Sequence, residues 1–140
     1  MEKSMSTTHV TWIQNLTFMG VDSTHHGAVI SSLEDGVGMK PSDLLLLALG
    51  GCTAYDVVNI LTKKRAHLTD FSITISGEQD SDPPWTFRRI HLHYVVTGCN
   101  LTAEDVDKAI KLSKDKYCSV SATLAASVDI TYDFEVVNPC

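Results

Sequence analysis

A chain of 140 residues fits a single domain spanning residues 1–140, and at this length roughly 70% of the unfolded surface can be buried around one core. The composition is 44% hydrophobic and 20% charged, with 8 Gly and 4 Pro, which excludes collagen-like, low-complexity and disordered chains. Eleven Lys+Arg against 17 Asp+Glu leave a net charge of −6; this is the wrong sign for neutralising a phosphate backbone, so no nucleic-acid partner is expected.

The N-terminal segment from Met1 to His9 has no apolar stretch of the kind a secretory signal needs, and a cytoplasmic protein is expected. Residues 8–13, 16–22 and 26–32 are short, β-branched and aromatic-rich, with polar breaks at Gln14-Asn15 and Ser23-Thr24-His25, and predict an antiparallel meander. The stretch 33–41 holds Gly36, Gly38 and Pro41 and predicts a loop into a helix.

Pro41, Ser42 and Asp43 suit a helix start: proline lacks an N–H that would be unpaired there, serine can cap, and an aspartate favours the positive end of the dipole. Lys63, Lys64 and Arg65 suit its end, so a helix is predicted over 42–65. Its first half, Leu44 to Ala54, is apolar on every face, which predicts burial all round. The run has 11 residues where a bilayer takes about 20, so a buried helix and no membrane span is expected. Gly50-Gly51 would weaken that helix by about 1 kcal/mol per glycine, so something should approach its backbone there.

A turn is predicted at 67–70, then paired strands at 71–77 and 90–96 from their period-two alternation, joined by the acidic, proline-broken loop 78–84. Thr102 to Asp105 resembles a capping box opening a second helix through about residue 116. Residues 118–126 can form a short helix, and 129–136 alternate again as a last strand. The order βββ-α-ββ-α-(α)-β lacks regular βαβ alternation and predicts an α+β fold with antiparallel sheets.

The four cysteines, Cys52, Cys99, Cys118 and Cys140, are too few and too far apart for a secreted disulfide scaffold. Cys52 lies in the apolar helix. Cys118 lies at the start of the short one, where the dipole and free N–H groups would lower a thiol pKa. Either could equally be a small packed hydrophobe. Cys99, in a Gly-Cys-Asn turn, and the terminal Cys140 read as bystanders.

Two segments carry a family resemblance: Lys40-Pro-Ser-Asp-Leu-Leu-Leu-Leu-Ala-Leu-Gly-Gly-Cys52-Thr-Ala and Lys116-Tyr-Cys118-Ser-Val-Ser. They resemble the central-helix and second-cysteine signatures of the OsmC/Ohr family of osmotically induced and organic-hydroperoxide-resistance proteins, and the wording is nearest to an OsmC-like branch of unassigned substrate. The resemblance implies an OsmC-like fold in which two chains intertwine into a homodimer around buried central helices. It also implies a thiol-dependent peroxidase that reduces organic hydroperoxides to alcohols. Cys52 would be oxidised to a sulfenic acid, Cys118 would resolve it as a disulfide, and an external dithiol reductant would restore both. Tyr117 and Phe18 would supply an apolar wall for the substrate. The alternative on the same fold is a non-catalytic small-molecule-binding or redox-sensing protein.

The chain departs from the family pattern at the groups that activate the first thiol. No arginine precedes Arg65, and the signature Pro-Glu is here Pro41-Ser42, followed by Asp43. Asp43 is either the counterpart of the missing glutamate, and so a third catalytic residue, or only a favourable helix start. Lys40, His25, His26 or a partner-subunit side chain are candidates for the missing cation. Without one, burial among leucines would raise a thiol pKa.

No metal site is expected, because the six histidines show no Cys-x-x-Cys or His-x-x-x-His spacing; His91 and His93, on one strand face, read as solvated or hydrogen-bonded. Gly36-x-Gly38 lacks the rest of a phosphate-binding pattern, and no cofactor is expected. Glu104, Asp105 and Asp107 with Lys108 and Lys111 read as a charged outer helix face.

Overall fold

The computed structural model describes residues 5–140. The order is β1 (His9–Gln14), β2 (Thr17–Val21), β3 (Gly27–Ser31), α1 (Pro41–Lys63), β4 (His67–Gln79), β5 (Phe87–Cys99), α2 (Ala103–Leu112), a π-helical turn Ser113–Tyr117, α3 (Ser119–Leu124) and β6 (Asp129–Val137). The chain forms two compact units, one ending at Leu45 and the other beginning at Leu46.

The first unit is the predicted meander, β1-β2-β3, antiparallel throughout. Its second hairpin turns on Asp22, whose carboxylate accepts from the backbone N–H of Thr24 at 2.9 Å and of His26 at 2.8 Å. These bonds hold the Asp22 carboxyl below its ordinary pKa and let His25 take a left-handed φ of 67°. In the loop before the helix, the Asp35 carboxylate accepts from the Leu16 amide at 2.9 Å and the Thr17 hydroxyl at 2.8 Å, tying the loop to the start of β2.

The second unit packs α1 and α2 on one face of the sheet β4-β5-β6. On β5 the inner residues Ile90, Leu92, Tyr94 and Val96 are buried and alternate with the outer residues His91, His93 and Val95. β4 and β5 pair antiparallel from Gln79↔Phe87 to His67↔Cys99, longer at both ends than the alternation predicts. The expected turn at 67–70 is strand instead, with an irregularity between Leu68 and Asp70, because ladder hydrogen bonds to the end of β5 satisfy its backbone. The antiparallel expectation holds for β1-β2-β3 and for β4 with β5, whereas β6 joins β5 in parallel, from Arg89↔Asp129 to Thr97↔Val137. Parallel neighbours need a long crossover, and here α2, the π turn and α3 supply it.

Helix α1 stops two residues short of the expected end. Arg65 takes a left-handed φ of 66°. Its N–H donates to Thr62 O at 3.0 Å and the Ala66 N–H donates to Leu61 O at 3.1 Å, a Schellman termination. The buried residues of α1 are Leu49, Gly50, Thr53, Val57 and Leu61, a single face. Burial all round is therefore not met within one chain: Leu47 is 50% exposed and Tyr55 73%. By length and composition alone this 23-residue helix could cross a bilayer, but its buried face belongs to the core with Ile90, Leu92, Tyr94 and Ile110. At Gly50 a Cβ would lie 2.6 Å from Ile75 Cδ1, so the strand does approach the helix backbone there; at Gly51 it would meet nothing within 4 Å.

Thr102 caps α2 as predicted, its hydroxyl accepting from the Asp105 amide at 3.1 Å. The outer face of α2 carries Lys108–Glu104 and Lys111–Asp107 pairs at 3.1 and 2.9 Å. Arg88 forks onto Asp80 across the β4–β5 loop, with nitrogen–oxygen distances of 2.8 to 3.1 Å, so it braces the hairpin.

Candidate active site around Cys52 and Cys118

Cys52 and Cys118 come together in the second unit, and they are its free thiols. Cys52 sits near the middle of α1, partly exposed, one residue before the buried Thr53. Cys118 is 2% exposed. It follows the π-helical turn, its N–H donating to Ser113 O at 2.8 Å, and its sulfur caps α3 by accepting from the Ser121 amide at 3.3 Å. Cys52 lies near enough to the Cys118 thiol to raise its pKa. A π turn is rare in a helix; here it re-aims the chain so that Cys118 leaves the helix facing inward.

The helix-start position predicted for Cys118 is correct, but the expected lowering of its pKa is not. Burial pushes the thiol up to about 11, and the neighbouring Cys52 thiol pushes the same way, against the weaker pull of the Ser121 and Val120 amides. A short helix cannot offset the removal of a thiolate from water.

Beside Cys118 lies a chain of buried hydroxyls absent from the sequence reading. Thr53 Oγ1 is 2.8 Å from Tyr94 OH and 3.1 Å from Ser113 Oγ, and the Ser113 hydroxyl donates to Asp56 Oδ2 at 2.8 Å. Thr53, Tyr94 and Ser113 are at most 3% exposed. Together with Cys118 and Ser121 they line a cavity of about 10 Å³, the space of roughly one water molecule. Tyr94 is pushed up to about 12, chiefly by burial, with the charges of Cys118 and Asp56 adding to it and the Thr53 hydrogen bond opposing it. Asp56 also lines an open groove of about 470 Å³ with Tyr55, Asn59, Lys63, Lys64 and Tyr117. The usable signal was helical spacing: Asp56 follows Cys52 by one turn.

Asp43 is in the first turn of α1, half-exposed, 3.8 Å from Lys40 Nζ. His26 Nδ1 lies 2.8 Å from the Thr24 hydroxyl in the β2–β3 turn. Phe18 belongs to β2 in the first unit. His91 and His93 are hydrogen-bonded, as read from the sequence, to Asp133 at 2.8 and 2.7 Å, and His93 reaches Glu135 at 3.3 Å.

Cys99 and Cys140 are not bystanders. They form a disulfide, with Cα atoms 5.7 Å apart, that ties the end of the chain to the end of β5. Its covalent loop encloses α2, Cys118, α3 and β6. Neither cysteine carries a local signal for this: one ends β5, the other is the last residue, and their separation is 41 residues.

Comparison with known proteins decides the family. The model of the OsmC-like protein family matches residues 34–133. The chain belongs to the OsmC/Ohr family. It is 38% identical over 128 residues to Protein YhfA of Escherichia coli K12, a match covering 91% of this chain and 96% of that one. A hypothetical protein from Aquifex aeolicus superposes with a TM-score of 0.83 at 26% identity, covering 96% of this chain and 98% of that one. The organic hydroperoxide resistance protein OhrB of Bacillus subtilis has the same fold, with a TM-score of 0.62 at 12% identity, covering 94% of this chain and 98% of that one. This chain thus combines an α+β OsmC-like architecture with paired cysteines consistent with a redox-active site.

Proposed function

We propose that this OsmC-like protein is a cysteine-based peroxidase for organic hydroperoxides, with Cys52 as nucleophile and Cys118 as resolving thiol. One observation carries the reading: a partly exposed thiol and a buried thiol, from distant segments, lie close enough for one to raise the other's proton affinity. Cys52, reached from solvent, attacks the O–O bond as a thiolate; the alcohol leaves and a sulfenic acid remains. Cys118 then attacks the Cys52 sulfur, water leaves, and an external dithiol reduces the disulfide. Asp43, at the start of the same helix, is retained in this proposal as an acidic group that assists activation, with Lys40 as its ionic partner.

The proposal includes a cytoplasmic homodimer. The exposed Leu47 and Tyr55 on α1, and Val10 and Trp12 on β1, support it, because apolar side chains of this size gain by burial against a second copy.

The test treats reduced protein with one equivalent of cumene hydroperoxide and maps the cysteines by mass spectrometry. A Cys52–Cys118 disulfide is expected, with a sulfenic acid trapped in Cys118→Ser and no oxidation in Cys52→Ser. If wild type yields neither species, the peroxidase reading fails and a binding or sensing role takes its place.

A further inference from the structure

The resolving thiol presents a difficulty that the hydroxyl chain answers. A buried Cys118 keeps its proton at neutral pH, yet only the thiolate attacks sulfur. Some base must take that proton, and among the described residues no histidine or carboxylate lines the cavity beside Cys118.

We propose that Asp56 is that base, acting at a distance through Ser113, Thr53 and Tyr94. A hydroxyl has one proton to give. Ser113 is placed to donate either to Thr53 Oγ1 or to Asp56 Oδ2; in the relay state it donates to the carboxylate, Thr53 turns its proton to Ser113 and Tyr94 donates to Thr53, so the chain then points towards Asp56. Tyr94 OH is left free to accept. It lines the same cavity as Cys118, and one water fits between them. A proton leaving the Cys118 sulfur passes through that water to Tyr94, while each hydroxyl hands its own proton onward and Asp56 ends protonated. The thiolate then attacks the Cys52 sulfur and forms the S–S bond, and the S–O bond of the sulfenic acid breaks. The departing hydroxide takes a proton to become water, and Asp56 releases its proton into the groove.

The arrangement suits this direction of transfer. Tyr94, Thr53 and Ser113 are sealed from bulk solvent, so only the single cavity water can meet the chain, while Asp56 opens to the groove. The charged and titratable groups that share this groove with Asp56 are Lys63 and Lys64 on α1, Tyr55 on the same helix and Tyr117 on the π turn. Around Cys118 they are Cys52, Tyr94, Tyr132 and Lys114, and Lys114 Nζ is engaged with Ile130 O at 3.2 Å. Asp56, Ser113, Thr53 and Tyr94 are positioning residues in this scheme, because none touches a substrate.

The inference rests on the resolving role of Cys118 but needs no peroxide, and so is tested apart from the peroxidase reading. Reduced Cys52–Cys118 protein, with Cys99–Cys140 intact, is treated with 5,5′-dithiobis(2-nitrobenzoate). Cys52 releases one thionitrobenzoate as it is capped, and the attack of Cys118 on that mixed disulfide releases a second. The ratio of second-phase to first-phase rate is followed from pH 5 to 10. In wild type the second phase should already run at neutral pH, without the tenfold rise per pH unit of unassisted thiol ionisation. In Asp56→Asn and in Tyr94→Phe the ratio at pH 7 should fall by about 10²-fold, the lower range for loss of a general base. The rate should then climb tenfold per pH unit with thiol ionisation, and Asp56→Glu should restore the wild-type profile. If both Asp56→Asn and Tyr94→Phe keep the wild-type ratio and pH profile, the relay does not exist. Should Asp56→Asn not fold, Tyr94→Phe, which keeps the ring in the core, decides the matter alone. A second phase that is normal in wild type while cumene hydroperoxide gives no sulfenic acid would overturn the peroxidase reading and leave the relay standing.

Discussion

On the inner face of β5, Tyr94 joins a chain of hydroxyls closed to water; one residue earlier, on the outer face, His93 joins a ladder of carboxylates open to it. Both networks use side chains, span neighbouring elements and contain no unpaired group. They differ in what a lost partner costs. Water replaces a missing partner on the outer face, whereas on the inner face the orphaned hydroxyl stays dry. The inner network also holds its protons, with Tyr94 pushed up to about 12 and Cys118 to about 11. The outer one favours charge, with His93 raised and Asp133 lowered by their mutual hydrogen bond.

The strongest way to break the contrast is Tyr94→Ala, which removes both the ring and the hydroxyl from a site 1% exposed. By analogy with other large aromatic truncations we expect a loss of about 3–5 kcal/mol in urea unfolding. A loss under about 1 kcal/mol would mean that the site collapses freely or that the ring is not core. Next comes Thr53→Val, nearly isosteric, which leaves the Tyr94 and Ser113 hydroxyls without their shared partner. The expected cost is about 1–3 kcal/mol, the desolvation of an unpaired buried group, and a neutral result would show that cavity water takes over the lost hydrogen bonds.

The smallest effect lies on the outer face. His93 is raised above its ordinary 6.5, so its contribution to stability is full below that value and is lost as pH rises through the raised one. Asp133 is lowered below its ordinary 3.8, so its contribution is full above that value and is lost as pH falls through the lowered one. The ladder therefore contributes most between these limits, roughly pH 4 to 6.5. Asp133→Asn should flatten stability across this window by less than either inner variant. In a proton NMR titration it should also move the His93 midpoint down towards 6.5, with Glu135 retaining part of the shift. A wild-type His93 that titrates at or below 6.5 would show that the ladder does not form in solution.

Most of the elements of this fold were legible in the chain because each rests on local physics. Helix α1 announces itself through Pro41, Asp43 and an apolar run, and β5 through alternation from Ile90 to Val96. The ends were less legible, since the Arg65 termination and the extra β4 residues 67–70 depend on hydrogen bonds to distant segments. The thiol pair Cys52 and Cys118 was reached through family resemblance rather than spacing. Asp56, Ser113 and the Cys99–Cys140 bond were missed, because partners 57 residues apart in one case and 41 in the other share no local pattern.

What the sequence determined by itself was therefore what neighbours along the chain can encode: periodicity, caps, turns, and the presence of a cysteine in an apolar helix. Alternation in β5 placed His91 and His93 on one face and Tyr94 on the other. Which carboxylates would meet those histidines was decided by the parallel register of β6, and which hydroxyls would meet Tyr94 by the docking of α1 and the π turn. The proton affinity of Cys118 was decided in the same way. A helix start is a local feature that lowers a thiol pKa, but burial is a property of the assembled core, and the cost of taking a charge out of water is the larger of the two.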